Sequence, residues 1–125
     1  MIKLADGSVR LALPLDSSLG PLVTEAARSY LTMCHLPASA SRFIARRIQG
    51  AVARLVRARQ PVRAWLLLRS RGGEVRVALR VIRAGPPKPT LSPLARGAPP
   101  GVRAEYRPGK AGGLLTFTAT RPDRD

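Results

Sequence analysis

The chain has 125 residues, with 22 Lys+Arg against 7 Asp+Glu and a formal net charge of +15. Between Ala26 and Ala104 its only carboxylate is Glu74, so most of the chain lacks the groups that usually hold a metal or move a proton. We therefore expect neither an enzyme nor a metal site. The charge favours an acidic partner: nucleic acid, an anionic membrane face or an acidic protein surface. A GC-rich genome also produces an arginine excess, so charge alone does not identify the partner.

Length and periodic aliphatic residues predict a single folded domain over residues 1–120, followed by a disordered tail at 121–125. No apolar stretch approaches the roughly 18 residues that cross a bilayer, so we expect no membrane span and a cytoplasmic location. Cys34 is the only cysteine, which excludes an internal disulfide and predicts a buried thiol.

The N-terminal half predicts a hairpin followed by two helices. Residues 1–15 alternate around an Asp6-Gly7 turn, and the oxygens of 16–18 predict the cap of a helix that ends before Pro37. A second helix is predicted from Ser39 or Ser41 to Pro61. Its apolar residues recur at helical spacing: Ile44, Ile48, Ala51, Val52 and Leu55. Its arginines occupy the opposite arc: Arg42, Arg46, Arg47, Arg54 and Arg57.

The C-terminal half predicts two hairpins, 62–69 with 74–83 and 102–107 with 114–120. The Pro/Gly-rich stretch 84–101 between them is predicted to be a mobile, lid-like loop. In the strand 74–83, valines and leucine alternate with Arg76, Ala78, Arg80 and Ile82, which predicts one buried sheet face and one that is basic unless another element covers it. The expected fold class is α+β: a two-layer α/β sandwich, with two main helices on one face of a mixed or antiparallel sheet of five or six strands.

Isolated features favour structural roles. His35 is the only histidine and is predicted to cap the last helical carbonyls. The cluster Gly109-Lys110-Ala111-Gly112-Gly113 lacks the Lys-Ser/Thr of a phosphate loop and predicts a hairpin turn. Phe43 and Phe117 lie on apolar faces and are predicted to pack in the core, whereas Trp65 could stack on a nucleic-acid base.

The order of these elements is similar to that of the small GHKL (Bergerat-fold) ATPase domains, above all the anti-sigma-factor serine kinases and related switch kinases. Four segments carry the resemblance: LPLDSSLGPLVTEAARSYL, RRIQGAVARLVRA, VALRVIRAGPP and PGKAGGLLTFTATRP. The first resembles the opening strand and helix of that family, and the second resembles the helix that carries its N-box. The third resembles the strand that ends in its Asp-x-Gly-x-Gly motif, and the fourth its Gly-rich turn and final strand.

The resemblance implies a degenerate nucleotide site. Arg54 stands at the glutamate of the N-box, and Ala58 stands at its magnesium-binding asparagine. Arg83 replaces the aspartate that reads adenine, and only Gly85 of that motif is kept, with Pro87 at the second glycine. A guanidinium repels magnesium and cannot accept the adenine amino hydrogen bond. The resemblance therefore implies a pseudo-ATPase without a cofactor.

Two functional hypotheses remain open. The first is a non-catalytic regulatory module that binds an acidic protein in bacterial signalling or transcription control, through the arginines of the second helix and the lid-like loop. The resemblance also implies dimer formation, which the sequence does not require. The alternative is nucleic-acid binding through the same helical arginines. Five sheet residues would contribute to that alternative: Arg63, Arg69, Arg71, Arg76 and Arg80.

Overall fold

The computed structural model describes residues 2–3, 8–13, 20–57, 63–83, 91–109 and 112–120. The predicted Asp6-Gly7 turn, the helix cap at 16–18, the proline-rich stretch 84–90 and the tail 121–125 lie outside the described residues. The elements in chain order are β1 (Ile2–Lys3), β2 (Val9–Leu13), α1 (Gly20–Met33), α2 (Ala38–Arg57), β3 (Arg63–Arg71), β4 (Glu74–Arg83), a 3-10 helix (Ser92–Ala95), β5 (Val102–Pro108) and β6 (Gly113–Thr120).

The six strands form one antiparallel sheet in the order β1-β2-β3-β4-β6-β5. Every predicted hairpin pairs as expected. The β3–β4 connection is shorter than the predicted loop 70–73, because Ser70 and Arg71 pair with Val75 and Glu74. The turn is Gly72-Gly73, whose φ angles of 59° and 83° suit the two-residue turns that match strand twist.

Both helices pack on one face of this sheet, which confirms the predicted two-layer α+β sandwich. All five apolar residues predicted for α2 are buried, and they share one cluster with Val75, Val77 and Leu79 of β4. Phe43 and Phe117 meet edge to face at 5.9 Å between ring centroids, in a geometry that aromatic pairs favour. In α1, Ala27, Leu31 and Cys34 are buried, whereas Ala26 is exposed.

Residues 91–101 pack against the domain instead of standing clear of it. Leu91 and Leu94 are buried in the main cluster, and Leu94 approaches α2 where Gly50 provides room. This short 3-10 helix contacts α2, β5 and β6. Leu91 and Leu94 thus attach this half of the predicted loop to the core. No helix in the described part of the chain is long and apolar enough to cross a membrane.

Candidate functional site: two basic surfaces

The arginine arc of α2 divides into two groups. At about 100° per residue, Arg42, Arg46 and Arg57 lie within about 60° of one another, directly opposite the buried stripe. All three are exposed. Arg47 and Arg54 lie at the border of the apolar stripe and are half-buried. The single outer face predicted from the sequence is therefore a narrower exposed stripe with two flanking arginines.

Arg47 connects α2 to the segment that follows the proline-rich stretch. Its Nη2 donates a hydrogen bond of 3.2 Å to the carbonyl oxygen of Arg96. Its Cζ atom lies 4.9 Å from the ring centroid of Phe43, within the range of a cation–π contact. Arg47 is thus held by contacts within the domain, unlike Arg42 and Arg46.

A crevice of about 750 Å³ lies between α1 and the first turns of α2. Arg28, Arg42 and Arg46 line it, together with the apolar side chains of Leu36 and Ala45. None of the described residues that line it is acidic. Arg28 also has a loose ion pair with the exposed Glu25 at 3.9 Å, which contributes little in water. The crevice combines an apolar base with a cationic rim.

The residues assigned by resemblance to a degenerate nucleotide site are only partly described. Arg54 is half-buried on α2. Arg83 is the last residue of β4, and its side chain is outside the described set. Ala58 and Gly85 lie outside the described residues.

The second basic surface is the open face of the sheet, on the side opposite the helices. Strand alternation brings seven arginines and two glutamates of the described residues to this face. They are Arg10, Arg69, Arg71, Arg76, Arg80, Arg103, Arg107, Glu74 and Glu105. All are exposed except Arg69, which is half-buried. The predicted basic face of β4 thus extends across the sheet from β2 to β5.

The strand register arranges the open face into two rows and a floor. The first arginine row, Arg69, Arg76 and Arg103, crosses β3, β4 and β5. The second arginine row contains Arg80 and Arg107, with Trp65 and Leu114 in the same line. The floor between them contains Leu67, Ala78 and Thr116, and the same line ends at Arg10 on β2 and at Glu105 on β5. These rows and the floor border a shallow furrow of about 580 Å³.

Trp65 lies on the open face of β3, and the guanidinium of Arg10 from β2 lies over its ring. The Arg10 Cζ atom is 4.1 Å from the ring centroid. Trp65 is half-buried, whereas Arg10 is exposed. The pair presents a stacked aromatic and guanidinium at one end of the second arginine row.

Sequence reasoning assigned five arginines to the sheet surface but did not include Arg10, Arg103 or Arg107 in that set. Each belongs to a strand whose neighbours become known only from the pairing order. The alternation within β5, where Arg103 and Arg107 share one side with Glu105, was the available signal.

No protein-family model and no curated protein matches this sequence. Within the described part of the chain, no group of three or more His, Cys, Asp or Glu is placed to hold a metal ion.

Proposed function

We propose that this protein is a non-catalytic regulatory module that binds an acidic protein partner, in bacterial signalling or transcription control in the cytoplasm. The observation that carries the proposal is the crevice between α1 and α2, with the exposed arginine stripe beside it. Protein interfaces combine an apolar centre with a polar rim, and arginine is enriched in them.

The crevice has both parts of such an interface. Leu36 is half-buried and Ala45 is buried at its base, so an apolar side chain of a partner would find matching contacts. Arg28, Arg42 and Arg46 form the rim, where they would pair with carboxylates and raise the association rate.

The resemblance to switch kinases supports a role without nucleotide chemistry. Arg54 stands where that family has a glutamate, and a guanidinium remains charged at every physiological pH. Binding of a protein partner would then be what remains of the family's activity. Arg47 hydrogen-bonds the carbonyl of Arg96, so in this proposal it stabilises the surface and does not contact the partner.

A capture experiment with a charge-matched control tests the proposal. The immobilised protein should retain an acidic protein from a nuclease-treated lysate of its host bacterium. The variant Arg42→Glu/Arg46→Glu/Arg57→Glu should lose that protein while keeping its circular dichroism spectrum, because exposed substitutions change stability by only about 0.5 kcal/mol each. The control Arg76→Glu/Arg80→Glu/Arg107→Glu carries the same charge change on the open sheet face and should retain it.

Retention of the acidic protein by the folded helix variant, or its capture only from a lysate without nuclease treatment, would contradict the proposed function.

A further inference from the structure

The open sheet face concentrates positive charge on neighbouring strands. Arg69 and Arg76 occupy directly opposite positions on neighbouring strands, where like charges destabilise a sheet. An ion pair on this face joins Arg76 Nη2 to Glu74 Oε1 at 3.7 Å, between side chains that are about half exposed. Such a pair offsets little of the repulsion. A polyanion bound to this face would remove it.

The furrow has the dimensions of an extended chain crossing the strands. Arg76 and Arg80 are four residues apart on β4, which separates the two arginine rows by about 14 Å at ~3.4 Å per residue. From β3 to β5 the first arginine row spans three strand spacings, again about 14 Å at ~4.8 Å each. A nucleic-acid chain has one phosphate every few ångströms, so it can contact several guanidiniums along such a row.

Arginine rows cross the centre of this face. The floor between them holds Leu67, Ala78 and Thr116, of which Ala78 is already buried by its neighbours, and its line ends at Glu105 on β5. Thr118 lies between Arg76 and Arg103 in the first arginine row and offers a hydroxyl to a phosphate. Protein interfaces deplete charge at their centre and place aromatic anchors there, whereas nucleic-acid interfaces are polar and strongly cationic. The arginine rows therefore favour nucleic acid over an acidic protein.

The Arg10–Trp65 pair adds a stacking platform. Unpaired bases stack on aromatic rings and on the planes of arginine guanidiniums. Arg10 lies over the Trp65 ring at 4.1 Å and is itself exposed, so its outer plane continues the stack towards solvent. A duplex keeps its bases inside and cannot use this platform. A six-stranded sheet is also too broad to enter a major groove about 12 Å wide.

We propose that the open sheet face binds single-stranded nucleic acid across the strands. The two arginine rows contact its phosphates, and the Arg10–Trp65 pair stacks a base. This surface lies on the opposite side of the sheet from the crevice between α1 and α2, so the two proposals are independent. Both partners could be bound at once.

Fluorescence anisotropy with a labelled 12-residue oligothymidylate tests this inference on the full chain. The variant Arg76→Gln/Arg80→Gln/Arg107→Gln should bind at least about tenfold more weakly than the wild type. Its plot of log affinity against log salt should be less steep by about 2, at ~0.7 for each lost phosphate contact with a single strand. The matched control Arg42→Gln/Arg46→Gln/Arg57→Gln loses the same charge from α2 and should bind within about threefold of the wild type.

The stacking platform and the preference for a single strand have their own measurements. Trp65→Leu should weaken oligothymidylate binding about fivefold or more, since stacked bases contribute strongly to single-strand affinity. A 12-base-pair duplex should bind more weakly than the oligothymidylate at the same salt concentration. Photocrosslinking of bromodeoxyuridine-substituted oligonucleotide to the wild type should label the peptide that contains Trp65, which keeps the test valid if a variant does not fold.

Three results would overturn the inference. If the sheet and α2 variants weaken oligothymidylate binding equally, the binding depends only on net charge. Tighter binding of the duplex would exclude a single strand as the preferred ligand. The third result is displacement of the labelled oligonucleotide by polyglutamate at the same concentration at which unlabelled oligothymidylate displaces it. That result would mean that the face binds acidic chains in general, including an acidic protein.

Discussion

Single residues of the same type have different roles in this protein. Arg47 and Arg46 are adjacent in sequence, yet Arg47 hydrogen-bonds the carbonyl of Arg96 while Arg46 lines a crevice and is exposed. A rotation of about 100° along α2 separates them, enough to move a side chain from the outer stripe to the border of the buried stripe. Substitutions within the predicted arc should therefore be chosen by helical angle and not by residue type.

His35 ends α1 through its backbone. Its φ is 57°, a left-handed conformation that costs most L-residues roughly 1 kcal/mol, and its N–H donates to the carbonyl of Thr32 at 3.1 Å. The side chain is exposed. The predicted capping by the ring is thus replaced by a conformational requirement on the backbone.

Replacing His35 should stabilise the fold when the new residue tolerates this conformation. We expect His35→Gly to raise the free energy of unfolding by about 0.5 to 1 kcal/mol, because glycine adopts positive φ without steric cost. His35→Val should lower it, since a β-branched side chain disfavours this region. Urea unfolding measures both. A less stable glycine variant would mean that the imidazole makes a stabilising contact.

At the level of elements, α2 organises the domain. It is 20 residues long, and its buried stripe joins α1 and the sheet in one cluster. It also receives the 3-10 helix: a Cβ atom at Gly50 would lie 3.4 Å from Leu94 Cδ2, so a larger side chain there would displace Leu94. The docking of residues 91–101 depends on this small residue in α2 together with Arg47.

Truncation of the buried stripe should destabilise the domain. Leu55 is 2% exposed in the core, so Leu55→Ala should lower the free energy of unfolding by about 2 to 5 kcal/mol. Gln49→Ala, at an exposed position of the same helix, is the control and should change it by no more than about 0.5 kcal/mol. Denaturant titration followed by circular dichroism gives both values. A small effect at Leu55 would be incompatible with the packing described above.

At the scale of the whole molecule, arginines occupy two opposite sides of a two-layer domain. The helix layer offers a crevice with an apolar base, and the open sheet face offers arginine rows that alternate with a line containing Leu67, Ala78 and Thr116. We propose different partners for the two surfaces although both are basic. The net charge of +15 alone would not distinguish them.

The whole domain should lack magnesium-dependent nucleotide binding. The proposed likeness to the switch kinases puts Arg54 at the position of their N-box glutamate, where a fixed positive charge would oppose a magnesium ion. Calorimetry with ATP and magnesium should give no saturable heat at millimolar concentrations. Repeating the titration in about 0.5 M salt screens the attraction of ATP to exposed arginines. A micromolar dissociation constant that requires magnesium would contradict the pseudo-ATPase proposal.

Local patterns in the sequence were sufficient to predict both helices, the hairpins and the two-layer arrangement. The spacing of Ile44, Ile48 and Leu55 predicts the buried side of α2, and the alternation around Val77 predicts the buried face of β4, because both depend only on backbone geometry. The basic character of the face that carries Arg76 and Arg80 follows from the same alternation.

Tertiary structure decided which charges share a surface. Arg10, Arg76 and Arg103 are far apart in sequence and reach one face only through the strand order β2-β3-β4-β6-β5, which is set by long-range pairing. The contact of Arg47 with Arg96 and the burial of Leu94 likewise depend on how 91–101 folds back onto α2. Local propensity does not predict such pairings, because their free energy arises from surfaces that meet only once the chain is folded.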